Sequence, residues 1–218
     1  MPSCCSHSSA SESTGKFFSK RSKWYARSFR KGALEKNQTY LLDGIRSEPV
    51  AEKTILDIGS GVGALHLTLL KEGAAQATGI DMSEEMLKHA KKFAIKLGLE
   101  KNVSYILGDF MTHADSIANA DITMLDKVIC CYEDYEGLIK TSAAKTKLLY
   151  AVSLPKNNLL MEFLFKFQIA IAKLFRSGFR PYWHHWDTIH ELITAQGFSL
   201  VYSNTTILWQ AAVFKRKV

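Results

Sequence analysis

The stretch Ile55–Leu67, ILDIGSGVGALHL, constrains this chain more than any other part of it. An apolar run ending in Asp57 is followed by three glycines at alternate positions, and then by a second apolar run. Apolar residues over the length of a strand, then glycines that admit left-handed backbone, then a helical pattern read as a strand–turn–helix unit. At the carboxyl edge of an open α/β sheet, such a turn leaves the main chain bare for a ligand to approach. GSGVGA also fits the loose dinucleotide pattern GxGxx(G/A), which alone carries little weight.

The same alternation continues along the chain. The pattern predicts strands at Lys53–Ile58, Gln76–Ile80, Val103–Leu107, Ile122–Leu125 and Lys147–Leu154, the last stopped by Pro155. Helices are expected near Gly63–Glu72, from Ser83 to Leu97 and around Tyr135–Ala144. In the second of these, Ser83 serves as N-cap, and Met86, Leu87, Ala90, Phe93, Ala94 and Leu97 share one face. Strands alternating with helices predict an α/β fold whose mostly parallel sheet is covered on both faces. A helix at His185–Gln196 ends at Gly197. The strands after it, about Phe198–Thr206 and Ile207–Lys215, leave no room for a crossover and should pair antiparallel.

Composition bounds the rest. The 218 residues suffice for one full-sized domain and a terminal extension. With 47% hydrophobic and 22% charged residues, the chain is globular rather than disordered. Its formal charge of +7 is confined to one segment, because Lys16–Lys36 carries eight Lys/Arg against Glu35 alone and the remainder is neutral. The organisation read from this is a disordered Ser-rich tail at 1–14, a basic helical arm or lid at 15–48, and a main domain at 49–218 with a lid-like insertion at 156–181. Gly32 should divide the arm into two helices. Such an arm can meet a polyanion, an anionic membrane or an acidic ligand, and a solvated amphipathic helix accounts for the same charges. The apolar run Leu159–Phe175 is interrupted by Glu162, Lys166, Gln168 and Lys173 and does not suit a bilayer span. With no basic-then-apolar leader, a cytoplasmic location is expected. Cys4-Cys5 and Cys130-Cys131 lack the spacing of a zinc site, so no metal is expected, and the second pair reads as buried thiols.

Three acids refine the glycine turn. Asp57 stands two residues before the first glycine, and Asp81 ends the second strand in GID, where a carboxylate can accept both hydroxyls of a ribose. Asp109 ends the third strand in GDF, beside an aromatic. Through LDIGSGVG, GIDMS, GDF, ADITMLDKVICCY and the closing hairpin, residues of about 50–216 resemble the class I S-adenosylmethionine-dependent methyltransferases. That resemblance implies a Rossmann-like seven-stranded sheet, S-adenosyl-L-methionine as cofactor, and methyl transfer to a small, partly apolar acceptor. It assigns cofactor binding to Asp57, Gly59, Gly61, Gly63, Asp81 and Asp109, with Met82 and Phe110 flanking the adenine and Asp126 at the edge toward the acceptor. Acidic and aromatic groups suit a sulfonium cation better than basic ones. The layout is somewhat similar to the branch that methylates a propionate of magnesium protoporphyrin, although no motif marks a porphyrin site.

Methyl transfer is an in-line displacement, so the protein mainly aligns the reactants, and it needs a base only for acceptors of high pKa. Four segments are candidates for the acceptor side. Asp126, Cys131 and Tyr132 follow the fourth strand, where core packing is the plainer reading for the thiols and the ring. The insertion helix LLMEFLFKFQIAIAKLF adds core, covers an apolar ligand or touches a membrane surface. In Tyr182-Trp183-His184-His185-Trp186, one histidine could supply a base near neutral pH, which makes Tyr132, His184 and His185 the catalytic candidates. The fourth is Trp24-Tyr25-Ala26-Arg27, with an aromatic from the arm facing the pocket. A nucleic-acid partner is not expected, because the main domain is neutral and no (D/N/S)PP(Y/F) motif occurs. The competing readings are a dinucleotide enzyme, an RNA methyltransferase using the arm, and a non-catalytic cofactor-binding module.

Overall fold

A computed structural model describes residues 9–158, 162 and 181–217. The apolar runs form one seven-stranded sheet in the order β3-β2-β1-β4-β5-β7-β6. The strands are β1 (Thr54–Ile58), β2 (Gln76–Asp81), β3 (Val103–Leu107), β4 (Ala120–Asp126), β5 (Thr146–Pro155), β6 (Phe198–Thr205) and β7 (Trp209–Arg216). β1 is buried from Ile55 to Ile58 and lies at the centre, parallel to β2 on one side and to β4 on the other. Strand order therefore reverses between β1 and β4, and the carboxyl ends of this pair open a crevice. The expected antiparallel hairpin is present, with β7 inserted between β5 and β6. Its turn closes where Thr206 N–H donates to Trp209 O at 2.7 Å and Trp209 N–H to Thr206 Oγ1 at 2.8 Å.

Helices cover both faces of the sheet. One face packs against α1 (Ser9–Ser19), α2 (Ser22–Arg30), α3 (Lys36–Ile45), α4 (Ala64–Lys71) and α5 (Glu84–Lys96), through Ala26, Leu41, Leu42, Ile45, Leu67, Phe93 and their neighbours. The other packs against α6 (Phe110–His113), α7 (Tyr135–Ala144) and α8 (Trp186–Ala195), through Phe110, Leu138, Ile139, Ile189, Ile193 and Phe198. Ser83 caps α5 as read, its hydroxyl accepting from Met86 N–H at 3.2 Å. The Arg216 guanidinium donates to Ala143 O at 2.8 Å, so the last strand brings a cation to the C-terminal carbonyls of α7.

The N-terminal segment departs from its reading in two ways. It forms three helices rather than two, because the chain turns at Lys20-Arg21 as well as near Gly32. Residues 9–14 belong to α1 instead of a disordered tail. Glu12 and Lys16 pair at i,i+4 there (2.6 Å), and Phe18 packs the helix against the core. The arm is also part of the main packing unit, since α3 lies against β5, β6 and β7, while α1 and α2 lie against α5. The expected insertion helix falls outside the described residues, except for Glu162.

Candidate active site

The glycine turn is shaped by its surroundings. Gly59, Gly61 and Gly63 have φ of 66°, 54° and 85°, all in the left-handed region where a side chain is strained. At Gly59 a Cβ would lie 2.4 Å from Val128 Cγ2, and at Gly63 it would lie 2.9 Å from His66 Nε2. At Gly61 it would meet nothing within 4 Å, because this residue faces open space. Backbone N–H groups of Gly59 and Ser60 donate to Ile80 O and tie the turn to β2. Beside Gly61, the Asp81 carboxylate is oriented by two main-chain donors, Gly61 N–H at 2.8 Å and Ser83 N–H at 2.8 Å. Burial pushes the Asp81 pKa up to about 6. The Ser60 hydroxyl is buried with no hydrogen-bond partner among the described residues.

Beneath the turn runs a buried polar chain. Asp57 Oδ2 lies 2.7 Å from His66 Nδ1, and His66 Nε2 lies 3.1 Å from the Tyr105 hydroxyl. An ionised Asp57 accepts from Nδ1–H, which leaves Nε2 to accept from the tyrosine, so every group is satisfied. Burial raises the Asp57 pKa, and the contact with His66 opposes that shift.

These elements meet at a cavity of about 360 Å³ over the crevice. Asp57, Gly59, Gly61, Asp81, Met82, Phe110 and Asp126 line it, as do Cys131 and Tyr132 on the acceptor side. The arm closes it from above with Phe17, Phe18, Tyr25, Glu35 and Gln38. Three contacts hold the arm in place. A Cβ on Gly15 would lie 2.5 Å from the Met82 carbonyl oxygen, so only glycine lets α1 approach this closely. Ser19 and Ser83 share a hydroxyl–hydroxyl bond of 2.8 Å. Asp126 Oδ1 accepts from Asn37 Nδ2 at 2.7 Å, and Oδ2 accepts from Gln38 Nε2 at 2.9 Å, while Ser153 also donates to Oδ1. Next along the chain, Lys127 sits at φ 60°, pairs with Glu35 and lies 4.8 Å from the centre of the Trp209 ring.

Several expected roles change in this geometry. Gly63 and Asp109 do not line the cavity. Gly63 caps α4, and Asp109 sits one layer back, its Oδ1 accepting from Met111 N–H at 3.0 Å and from the Tyr132 hydroxyl at 2.7 Å. Tyr132 does face the cavity, but burial followed by the Asp109 charge drives its pKa well above the ordinary tyrosine value, so it acts as a donor and not as a base. His184 and His185 are both absent from the lining among the described residues. The extended chain at 181–185 runs beside the turn after β4, where Tyr182 N–H donates to Cys130 O at 2.7 Å, and this fixes both rings elsewhere. His184 Nε2 lies 2.9 Å from Tyr132 O, its ring rests 4.1 Å from that of Tyr135, and burial lowers its pKa. His185 is exposed at the N-cap of α8. The contact with the Cys130 thiol, followed by burial, holds Cys131 well above the ordinary cysteine value, so it is a thiol and no nucleophile. Among the described residues no cluster of His, Cys, Asp and Glu could hold a metal ion, and no helix is long and apolar enough to cross a membrane.

Sequence reasoning passed over His66, Tyr105, Asn37 and Gln38. A histidine within the apolar run ALHLTLL was a signal, since a buried ring needs polar partners. The amides carried none, because their partner lies 88 and 89 residues away.

A family model described as "Methyltransferase domain" matches residues 49–175. The ubiquinone biosynthesis O-methyltransferase of Serratia proteamaculans is 39% identical over 71 residues, covering 33% of this chain and 28% of that protein. Norajmaline N-methyltransferase of Rauvolfia serpentina is 33% identical over 88 residues, covering 40% of this chain and 30% of that protein. The chain thus spans less than a third of either curated relative. In overall fold it is similar to the magnesium protoporphyrin IX methyltransferase of Synechocystis PCC 6803, with a TM-score of 0.71 at 16% identity and 100% of each chain covered. One relative methylates oxygen and the other nitrogen, so what they share is the domain and not the acceptor.

Proposed function

Because this chain belongs to the class I S-adenosylmethionine-dependent methyltransferases, we propose that it transfers a methyl group from S-adenosylmethionine to a small, partly apolar acceptor. One observation carries the reading. An oriented carboxylate at Asp81 and a bare glycine edge at Gly61 face one cavity, which Phe110 and Tyr132 also line. When bound, the cofactor supplies an electrophilic methyl on a sulfonium. Asp81 would hold its ribose hydroxyls, Met82 and Phe110 its adenine, and the acids about the turn its positive charge. The arm covers the cavity and keeps water from the reacting atoms.

The acceptor side narrows the chemistry further. Burial pushes the Tyr25 pKa up to about 12, Tyr132 is higher still, Cys131 is a thiol, and Asp126 is held by three donors. Neither tyrosine nor the thiol is therefore poised to take a proton near neutral pH. The acceptor should bring its own nucleophile, a carboxylate, an acidic phenol or an amine lone pair. Incubating the full chain with methyl-labelled cofactor and a metabolite panel should label small apolar acids, phenols or amines. Binding of the cofactor with no labelled product from any extract would favour the non-catalytic module instead.

A further inference from the structure

We infer that the outer face of α2, together with the facing turn of α5, is a docking surface for an anionic lipid bilayer. Like most amphipathic helices, α2 buries its apolar side: Ala26 is fully packed, Phe29 meets Phe93 edge-on at 4.9 Å, and Tyr25 lines the cavity. Trp24 is the exception. It points outward and is 61% exposed, touching only the edge of Tyr25 at 4.9 Å among ring contacts. Around it, Lys23, Arg27, Arg30 and His89 line a shallow hollow that no carboxylate enters. Lys23, Arg27 and Arg30 form no ion pair with any described residue, so their charges face solvent uncompensated. Lys92 joins the same group, since its charge and those of Arg30 and Lys23 act on His89, opposed by the single carboxylate of Glu85, which is itself paired with Lys88. One turn along α5 from Lys92, Ile95 is 65% exposed.

The occupant follows from this chemistry. A large indole ringed by Lys and Arg matches the headgroup layer of a bilayer, where tryptophan favours the interface and long cationic side chains reach phosphates. A single-stranded nucleic acid asks for a row of aromatic platforms along a groove, and this face offers one aromatic. Each basic residue near an anionic surface strengthens attachment roughly fivefold, so three or four of them with an anchoring indole make a reversible peripheral contact. The same helix turns Tyr25 into the cavity, so docking would set the cavity mouth beside the lipid, where apolar molecules concentrate. The inference does not depend on the identity of the acceptor or on catalysis.

The test is co-sedimentation of the full chain with vesicles of phosphatidylcholine alone and of phosphatidylcholine mixed with phosphatidylglycerol. Binding is expected only to the mixed vesicles, weakening as salt is raised. A Lys23→Glu/Arg27→Glu/Arg30→Glu variant should lose at least tenfold in affinity while its cofactor binding and circular dichroism are retained. Trp24→Ser should lose severalfold and abolish any blue shift of tryptophan emission. If the triple variant fails to fold, the salt titration and Trp24→Ser decide the matter. Unchanged binding by the variants, equal binding to neutral vesicles, no binding at low salt, or tighter binding to poly-uridylate than to the mixed vesicles would each overturn the proposal.

Discussion

Replacing Asp81 with alanine should weaken S-adenosylmethionine binding at least tenfold while leaving the fold intact. A carboxylate accepting from ribose hydroxyls contributes about 1.5–3 kcal/mol for each charge-assisted hydrogen bond, and tenfold corresponds to about 1.4 kcal/mol. The two main-chain donors, Gly61 N–H and Ser83 N–H, have already oriented this group, so little ordering cost offsets the gain. Acidity adds a second signature. The Asp81 pKa stands at about 6 against an ordinary 3.8, so the folded chain holds this proton more tightly than the unfolded chain does. The associated stability is fully present below 3.8 and is lost as pH rises through about 6. Cofactor binding runs the other way, because only the ionised group accepts both hydroxyls. Affinity measured by isothermal titration should therefore fall as pH drops through about 6, and Asp81→Ala should flatten that dependence.

Asp126→Ala should produce the largest loss of stability among single changes at the cavity. It removes the shared acceptor of Asn37, Gln38 and Ser153, and Asn37 is only 2% exposed. A buried donor left without a partner costs about 1–3 kcal/mol, so losing the acceptor for two buried groups and one partly buried group sums to about 3 kcal/mol or more. For a chain of this size, that corresponds to a fall in melting temperature of roughly 6–12 °C in differential scanning calorimetry. Asp126→Asn keeps one oxygen acceptor and should lose about half as much. Because the same contacts seat α3 on the cavity, protease cleavage within residues 20–36 should accelerate in Asp126→Ala. Unaltered melting would mean that the arm is held by its apolar face alone.

The parts of this molecule that were legible in the sequence share a cause. Strand and helix periods repeat every few residues, so β3 and α7 were placed at the residues they occupy, and the other strands and helices of the main domain within a few residues of their ends, except α6, whose single turn is too short to show a period. The chain ends of β1, β2 and β4 are fixed by parallel register, so Asp57, Asp81 and Asp126 had to meet at one crevice. Beyond a strand's last residue, side-chain direction follows no period. Asp109 illustrates this, capping α6 and binding Tyr132 one layer behind the cavity. His184 and His185 illustrate it again, since their placement depends on an extended segment pairing with Cys130 across some fifty residues of chain. The dinucleotide reading fitted the glycines as well as the reading that prevailed, and the family match over residues 49–175 removes it. The seating of the arm on Asp126 and Met82 rests on contacts that no local pattern encodes.

The most direct test of the whole account is isothermal titration of the full chain with S-adenosylmethionine at neutral pH, beside Asp81→Ala under the same conditions. The account predicts saturable binding at one site per chain, weakened at least tenfold by the substitution. No heat of binding by the native chain, or equal affinity in the variant, would contradict it.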